Sequence, residues 1–272
     1  MLFASEFGRN ALVVSLLASV LCGIVGTFVV LKRLVSITGG ISHAALGGLG
    51  AAYCAGIDPR WGGLAVAIGA SLALGAAGRE RWKTLDAGIG VLWAVGMAVG
   101  ILLISLTPGY APNLMGFLFG NVLLVSRADV WLAAGVTAGT LIVLALFAKE
   151  FLAVGFDEEY AQIQGLRVRL FSTLLLVLAG LTVIVLIQVV GIILVIALLT
   201  IPPLASLALF RGIRTVLAAS VGFGALMTTA GLFLSFQWNL PAGPMMVLAG
   251  AAGLGLVWLV RRARAGRQSA LQ

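Results

Sequence analysis

The chain of 272 residues is 61% hydrophobic and only 10% charged, with a mean hydropathy of +1.16. Soluble domains carry roughly 45–50% apolar residues, so this composition excludes a water-soluble globular protein and makes the bilayer the solvent. The formal net charge of +8 is not a nucleic-acid footprint, because the basic residues are scattered at the edges of apolar runs and no aromatic platform accompanies them.

In chain order, apolar runs fall near 10–31, 39–57, 61–78, 87–106, 128–148, 170–189, 191–209, 215–235 and 242–260. Each is close to the length that crosses roughly 30 Å of hydrocarbon as a helix. The expected fold is therefore all-α, a polytopic membrane bundle of eight or nine transmembrane helices forming one domain over 1–272. The count is open because 170–209 offers only Gln188 and Gly191 where a loop should be. The first run is expected to stay as a span, since Glu6 and Arg9 flank it in place of the basic region of a cleavable signal. Cys22 and Cys54 lie in apolar runs with no C-x-x-C partner, and they read as two small buried hydrophobes. The 36 glycines cluster within spans, which lets helix backbones approach closely and argues for a compact bundle.

If every run crosses and the N-terminus is outside, the inner loops near 32–36, 79–86, 149–169 and 211–214 and the basic tail 261–272 hold 14 of the 17 basic residues. Only Arg9, Arg60 and Arg127 remain outside, so the positive-inside rule selects N-terminus out and C-terminus in. Residues 107–127 include Pro108, Gly109 and Pro112 and then an apolar stretch too short to cross. A re-entrant or surface-lying outer segment over about 112–126 fits them. Pro202 and Pro203 interrupt another run, where missing amide donors open the helix ladder, and they are candidates for a gating kink.

The inventory of chemical groups is short. No G-x-x-x-x-G-K-[ST] follows any of the three lysines, so the chain has no phosphate loop, and H-E-x-x-H and paired intramembrane carboxylates are also absent. The one histidine, His43, lies about ten residues beyond Lys32-Arg33, hence roughly 15 Å along a helix from the inner surface. An ionisable group at that depth marks a functional site or hydrogen-bonds a neighbouring helix. The stretch from Asp157 through Glu158, Glu159, Tyr160 and Gln164 to Gly165 is a short pre-capped helix. Asp157 caps it, the acids complement its positive end, and Gly165 stops it. Three adjacent acids belong in water, and a hydrated helix on a chain without a nucleotide site suits docking to a separate ATPase.

These residues carry a resemblance. Val30-Leu31-Lys32-Arg33, Ser42-His43-Ala44, Asp86-Ala87-Gly88-Ile89-Gly90, Phe117 to Ser126, the Asp157 to Leu166 block, Gln188-Val189-Val190-Gly191 and Leu240-Pro241-Ala242-Gly243-Pro244 occur in the order found in permease subunits of zinc and manganese ABC importers, the ABC-3 family. The resemblance implies a fold similar to cobalamin and siderophore importers and a homodimer with the pathway on its two-fold axis. It also implies two cytoplasmic ATPase subunits and an extracytoplasmic metal-binding protein, all at the inner (cytoplasmic) membrane. The permease would hold no permanent cofactor and would carry a divalent metal. In the family an aspartate usually stands four residues before the histidine; here that position is Gly39. The implied pathway is then His43 with Ser42, a carbonyl freed at Gly39, or water. Imidazole without carboxylate points to zinc ahead of manganese, with a chelate permease and an ATPase-independent transporter as the alternatives.

Overall fold

A computed structural model describes residues 6–77, 86–107, 116, 119–120 and 125–269, with backbone alone at 7, 86 and 264–269. Arg79, Arg81, Lys83 and most of the 112–126 segment lie outside the described residues. Among the described residues the fold is all-α. The helices are α1 (Glu6–Leu31), α2 (Val35–Cys54), α3 (Pro59–Ala77), α4 (Asp86–Leu106), α5 (Arg127–Leu146), α6 (Ala148–Phe156), α7 (Glu158–Ile163), α8 (Val168–Val190), α9 (Ile192–Leu209), α10 (Ile213–Trp238) and α11 (Ala242–Ser269).

Eight of these are long and apolar enough to cross a membrane. The ninth long helix is α2. Its glycines, hydroxyls and His43 lower its hydropathy, yet 14 of its 20 residues are buried, so protein rather than lipid surrounds it. The open question at 170–209 resolves into two helices, since Gly191 at φ 82° and ψ 158° breaks the run with a conformation that glycine adopts readily.

Glycine backbones set the distances around α2. A Cβ at Gly96 of α4 would stand 2.6 Å from Ala44 Cα and 2.9 Å from the His43 carbonyl oxygen, and one at Gly50 would stand 2.5 Å from the Gly100 oxygen. On the other side of α2, Gly48 and Gly62 of α3 meet backbone to backbone. Without a hydrophobic drive in lipid, such close approach and interhelical hydrogen bonds hold helices together. The second device appears between α1 and α10, where Ser19 meets Thr228 at 3.1 Å and Thr27 donates to Ser220 at 3.2 Å.

The two ends of the bundle are fastened differently. At one end Asn10 donates to the Val125 carbonyl at 3.2 Å, Arg127 pairs with Glu6 at 2.5 Å, and Arg60 pairs with Asp129 at 2.9 Å. Asp129 also completes a capping box with Ser126 at the start of α5. The opposite end gathers Lys32, Glu158 and Ser172, and there Arg169 donates to the Ala76 carbonyl.

Two expectations need correction. The 149–169 region is not simply a loop: α5 breaks at Phe147 and restarts as α6, which buries Phe151 against Phe28 and Phe171 with ring centroids 6.1 and 5.6 Å away. Apolar residues at 151 and 154 fall on one helical face, which is why this segment packs instead of entering water. Cys54 is exposed rather than buried, because α2 ends there beyond its neighbours; Cys22 is buried as expected, and both thiols are free. Pro202 and Pro203 lie buried inside α9. The Leu199 carbonyl, whose helix donor would be residue 203, lies against the backbone of Gly26 of α1, an approach that a side chain at position 26 would block.

Candidate functional site

His43 is only 6% exposed, and its ring stacks on Trp93 of α4 with centroids 4.3 Å apart and planes 20° from parallel. Its Nδ1 is buried without a hydrogen-bond partner. The hydroxyls nearby are engaged locally: Ser42 donates to the Thr38 carbonyl at 2.7 Å and Thr38 to the Leu34 carbonyl at 3.0 Å. This back-bonding satisfies each hydroxyl hydrogen on its own helix and leaves oxygen lone pairs to spare. His43 is therefore the polar side chain of α2 that is buried and unsatisfied.

Gly39 is one helical turn before His43 on the same face. A Cβ there would meet the Trp93 ring edge at 3.9 Å, an ordinary contact. Beside Gly39 a cavity of about 10 Å³, lined by Val29, Val35, Thr38, Ile196, Leu199 and Thr200, has room for about one water. Among the described residues no three His, Cys, Asp or Glu side chains converge to hold a metal ion. One chain thus offers one imidazole, and a coordinated ion would need donors from water, backbone or a second copy. Sequence reasoning missed Trp93. Its signal was available: tryptophans of membrane proteins favour the interfaces, and this one sits well inside a span.

At the end that gathers Lys32, Glu158 and Ser172, α7 has the expected caps. Asp157 accepts from the Tyr160 amide at 3.0 Å, and beyond the last turn Gly165 takes φ +78° while the Leu166 amide reaches back to the Ala161 carbonyl at 3.0 Å. Asp157, Glu159, Tyr160 and Gln164 are exposed, and Gln164 donates to the Tyr160 hydroxyl at 3.1 Å. Glu158 behaves differently. It turns inward to Lys32, Oε1 to Nζ 2.7 Å, an ion pair rather than an aligned hydrogen bond. Two exposed apolar side chains escaped the sequence reading, Phe156 and Ile163, the latter 83% exposed. Both stand beside the exposed acids Asp157 and Glu159.

The arrangement is that of a membrane permease with one enclosed helix, α2, carrying a buried imidazole, and a separate short polar helix, α7. The ABC 3 transport family model matches residues 4–260, and the chain belongs to that family. An uncharacterized membrane protein of Synechocystis, slr2045, is 42% identical over 243 residues, 89% of this chain and 86% of its own length. The manganese transport system membrane protein MntC of Halalkalibacterium halodurans is 31% identical over 94% of this chain and 88% of its own length. Among solved structures, PsaBC from Streptococcus pneumoniae in complex with Fab superposes with a TM-score of 0.83 at 29% identity, covering 93% of this chain and 91% of that one.

Proposed function

We propose that this chain is the permease subunit of an ATP-driven importer that carries a divalent transition metal into the cytoplasm, manganese first. It works as a homodimer in the cytoplasmic membrane, N-terminus outside, with ATPase subunits docked on α7 and an extracytoplasmic protein delivering the ion. The observation that carries this reading is His43: an imidazole whose Nδ1 is buried and unsatisfied, on the most enclosed long helix of the bundle. Leaving such a group without a partner costs about 1–3 kcal/mol, a cost that a passing cation would offset.

Manganese comes forward because MntC, similar over nearly the whole chain, is named for it. Zinc is the second reading, favoured by an imidazole that no cluster of three His, Cys, Asp or Glu side chains joins among the described residues. In either case a site with few donors suits conduction, since an ion must leave as easily as it arrives.

The test is uptake of radiolabelled manganese and zinc in vesicles. His43→Ala should abolish uptake while assembly persists. Gly39→Asp, whose Cβ would make ordinary contact with Trp93, should tighten binding and raise the manganese-to-zinc ratio, because manganese prefers oxygen donors. Undiminished uptake in folded His43→Ala would remove the bare-ion pathway and favour a chelate as the solute.

A further inference from the structure

The Lys32–Glu158 pair occupies an unusual position in the chain. Lys32 is the first residue after α1, and only Arg33 and Leu34 separate it from α2. The turn is fully hydrogen-bonded: the Lys32 amide reaches Phe28, the Arg33 amide Val30 and the Leu34 amide Val29, at 3.0, 3.0 and 2.8 Å. The last two form a Schellman closure whose left-handed position is normally glycine. Here it is Arg33, at φ +57°, which makes the turn stiffer than a glycine would. The Thr38 amide then bonds the Leu34 carbonyl at 2.9 Å, so α2 begins with no slack.

The side chain of Lys32 reaches two other elements. It is 3% exposed, touches Glu158 of α7 at 2.7 Å and donates to Ser172 of α8 at 2.6 Å. Glu158 is 18% exposed, and Ala161, one turn further along α7, is fully buried. One face of α7 is therefore fixed to the bundle by a desolvated ion pair, while Glu159, Tyr160 and Ile163 face outward. Charges this far from water interact over a short, distance-sensitive range, and separating them is costly. From the turn to His43 there are eight residues of α2, about 12 Å of continuous helix.

We infer that Lys32 is the positioning residue that transmits displacement of the docking helix to the metal-bearing helix. Movement of α7 shifts Glu158; Glu158 draws Lys32; and the stiff turn moves α2, and with it Gly39, Ser42 and His43, against α4. The ion pair works as a joint because it ties α7 directly to the turn between α1 and α2. The inference rests on the permease reading above.

The experiment uses proteoliposomes holding the permease with its ATPase subunits, measuring radiolabelled manganese uptake and phosphate release in the same sample. Lys32→Met should leave complex assembly and basal hydrolysis in place while lowering ions carried per ATP about tenfold, the size of an ordinary allosteric coupling. The exchange Lys32→Glu with Glu158→Lys should recover most of that ratio. Where a single variant fails to assemble because one charge is left buried, Lys32→Met with Glu158→Leu removes both charges and should assemble yet stay uncoupled. A wild-type ratio in these variants overturns the joint. So does an equal loss of uptake and hydrolysis that charge exchange does not repair, which is what a merely structural pair would give. Absence of ATP-driven uptake by the unaltered complex overturns the permease reading and the joint with it.

Discussion

Replacing Gly96 by alanine tests whether the α2–α4 crossing sets the pathway geometry. The added Cβ would lie 2.6 Å from Ala44 Cα, 2.9 Å from the His43 oxygen and 3.0 Å from the Ala44 nitrogen. Carbon atoms sit comfortably about 3.5–4.0 Å apart, so the helices must part by about 1 Å, and the obstructing atoms are backbone and cannot rotate aside. Overpacking of this kind costs about 1–3 kcal/mol. Alanine returns about 1 kcal/mol through helix propensity, leaving a net loss of up to about 2 kcal/mol. Gly135→Ala on α5 is the control: nothing lies within 4 Å of its Cβ, so only the propensity gain remains. The two variants should differ by about 1–3 kcal/mol in thermal unfolding in detergent, Gly135→Ala melting higher. Metal uptake should fall in Gly96→Ala alone, since parting α4 from α2 pulls Trp93 off His43. Equal melting of the two variants, or unchanged uptake in Gly96→Ala, would refute the reasoning.

Gly165→Leu meets no steric obstacle but must hold φ +78°, costing about 1–2 kcal/mol and favouring a longer α7; the variant should assemble and lose uptake relative to hydrolysis, and normal coupling would count against α7 as the docking helix. For orientation, cysteines placed at 58 or 110 should react with an impermeant reagent from outside and those at 82 or 160 should not. The background needs Cys54 replaced, since that thiol is exposed while Cys22 is buried.

The spans were legible because lipid imposes length and hydropathy directly on sequence, and α7 was legible because its caps are local: Asp157, the following acids and Gly165 act within one turn of chain. What escaped depends on partners distant in sequence. Glu158 reads like its neighbours until Lys32, 126 positions away, is placed beside it. Trp93 reads as one more apolar residue until α4 lies along α2. α6 was hidden because its apolar face matters only against Phe28 and Phe171.

The helix that carries the proposed pathway is also the long helix that falls short on hydropathy, and the two facts have one cause. Packed against α3, α4 and α8, α2 meets little lipid, and its glycines let the neighbouring backbones in. Its hydroxyls then become harmless by bonding one turn back on the same helix. His43 does not close on its own helix in this way: its Nδ1 is buried without a hydrogen-bond partner. The same enclosure that tolerates Thr38 and Ser42 therefore leaves His43 dependent on something that is not part of α2. Trp93 supplies a ring face but no acceptor, so the Nδ1 position stays open to a donor-seeking cation or a water that travels with it.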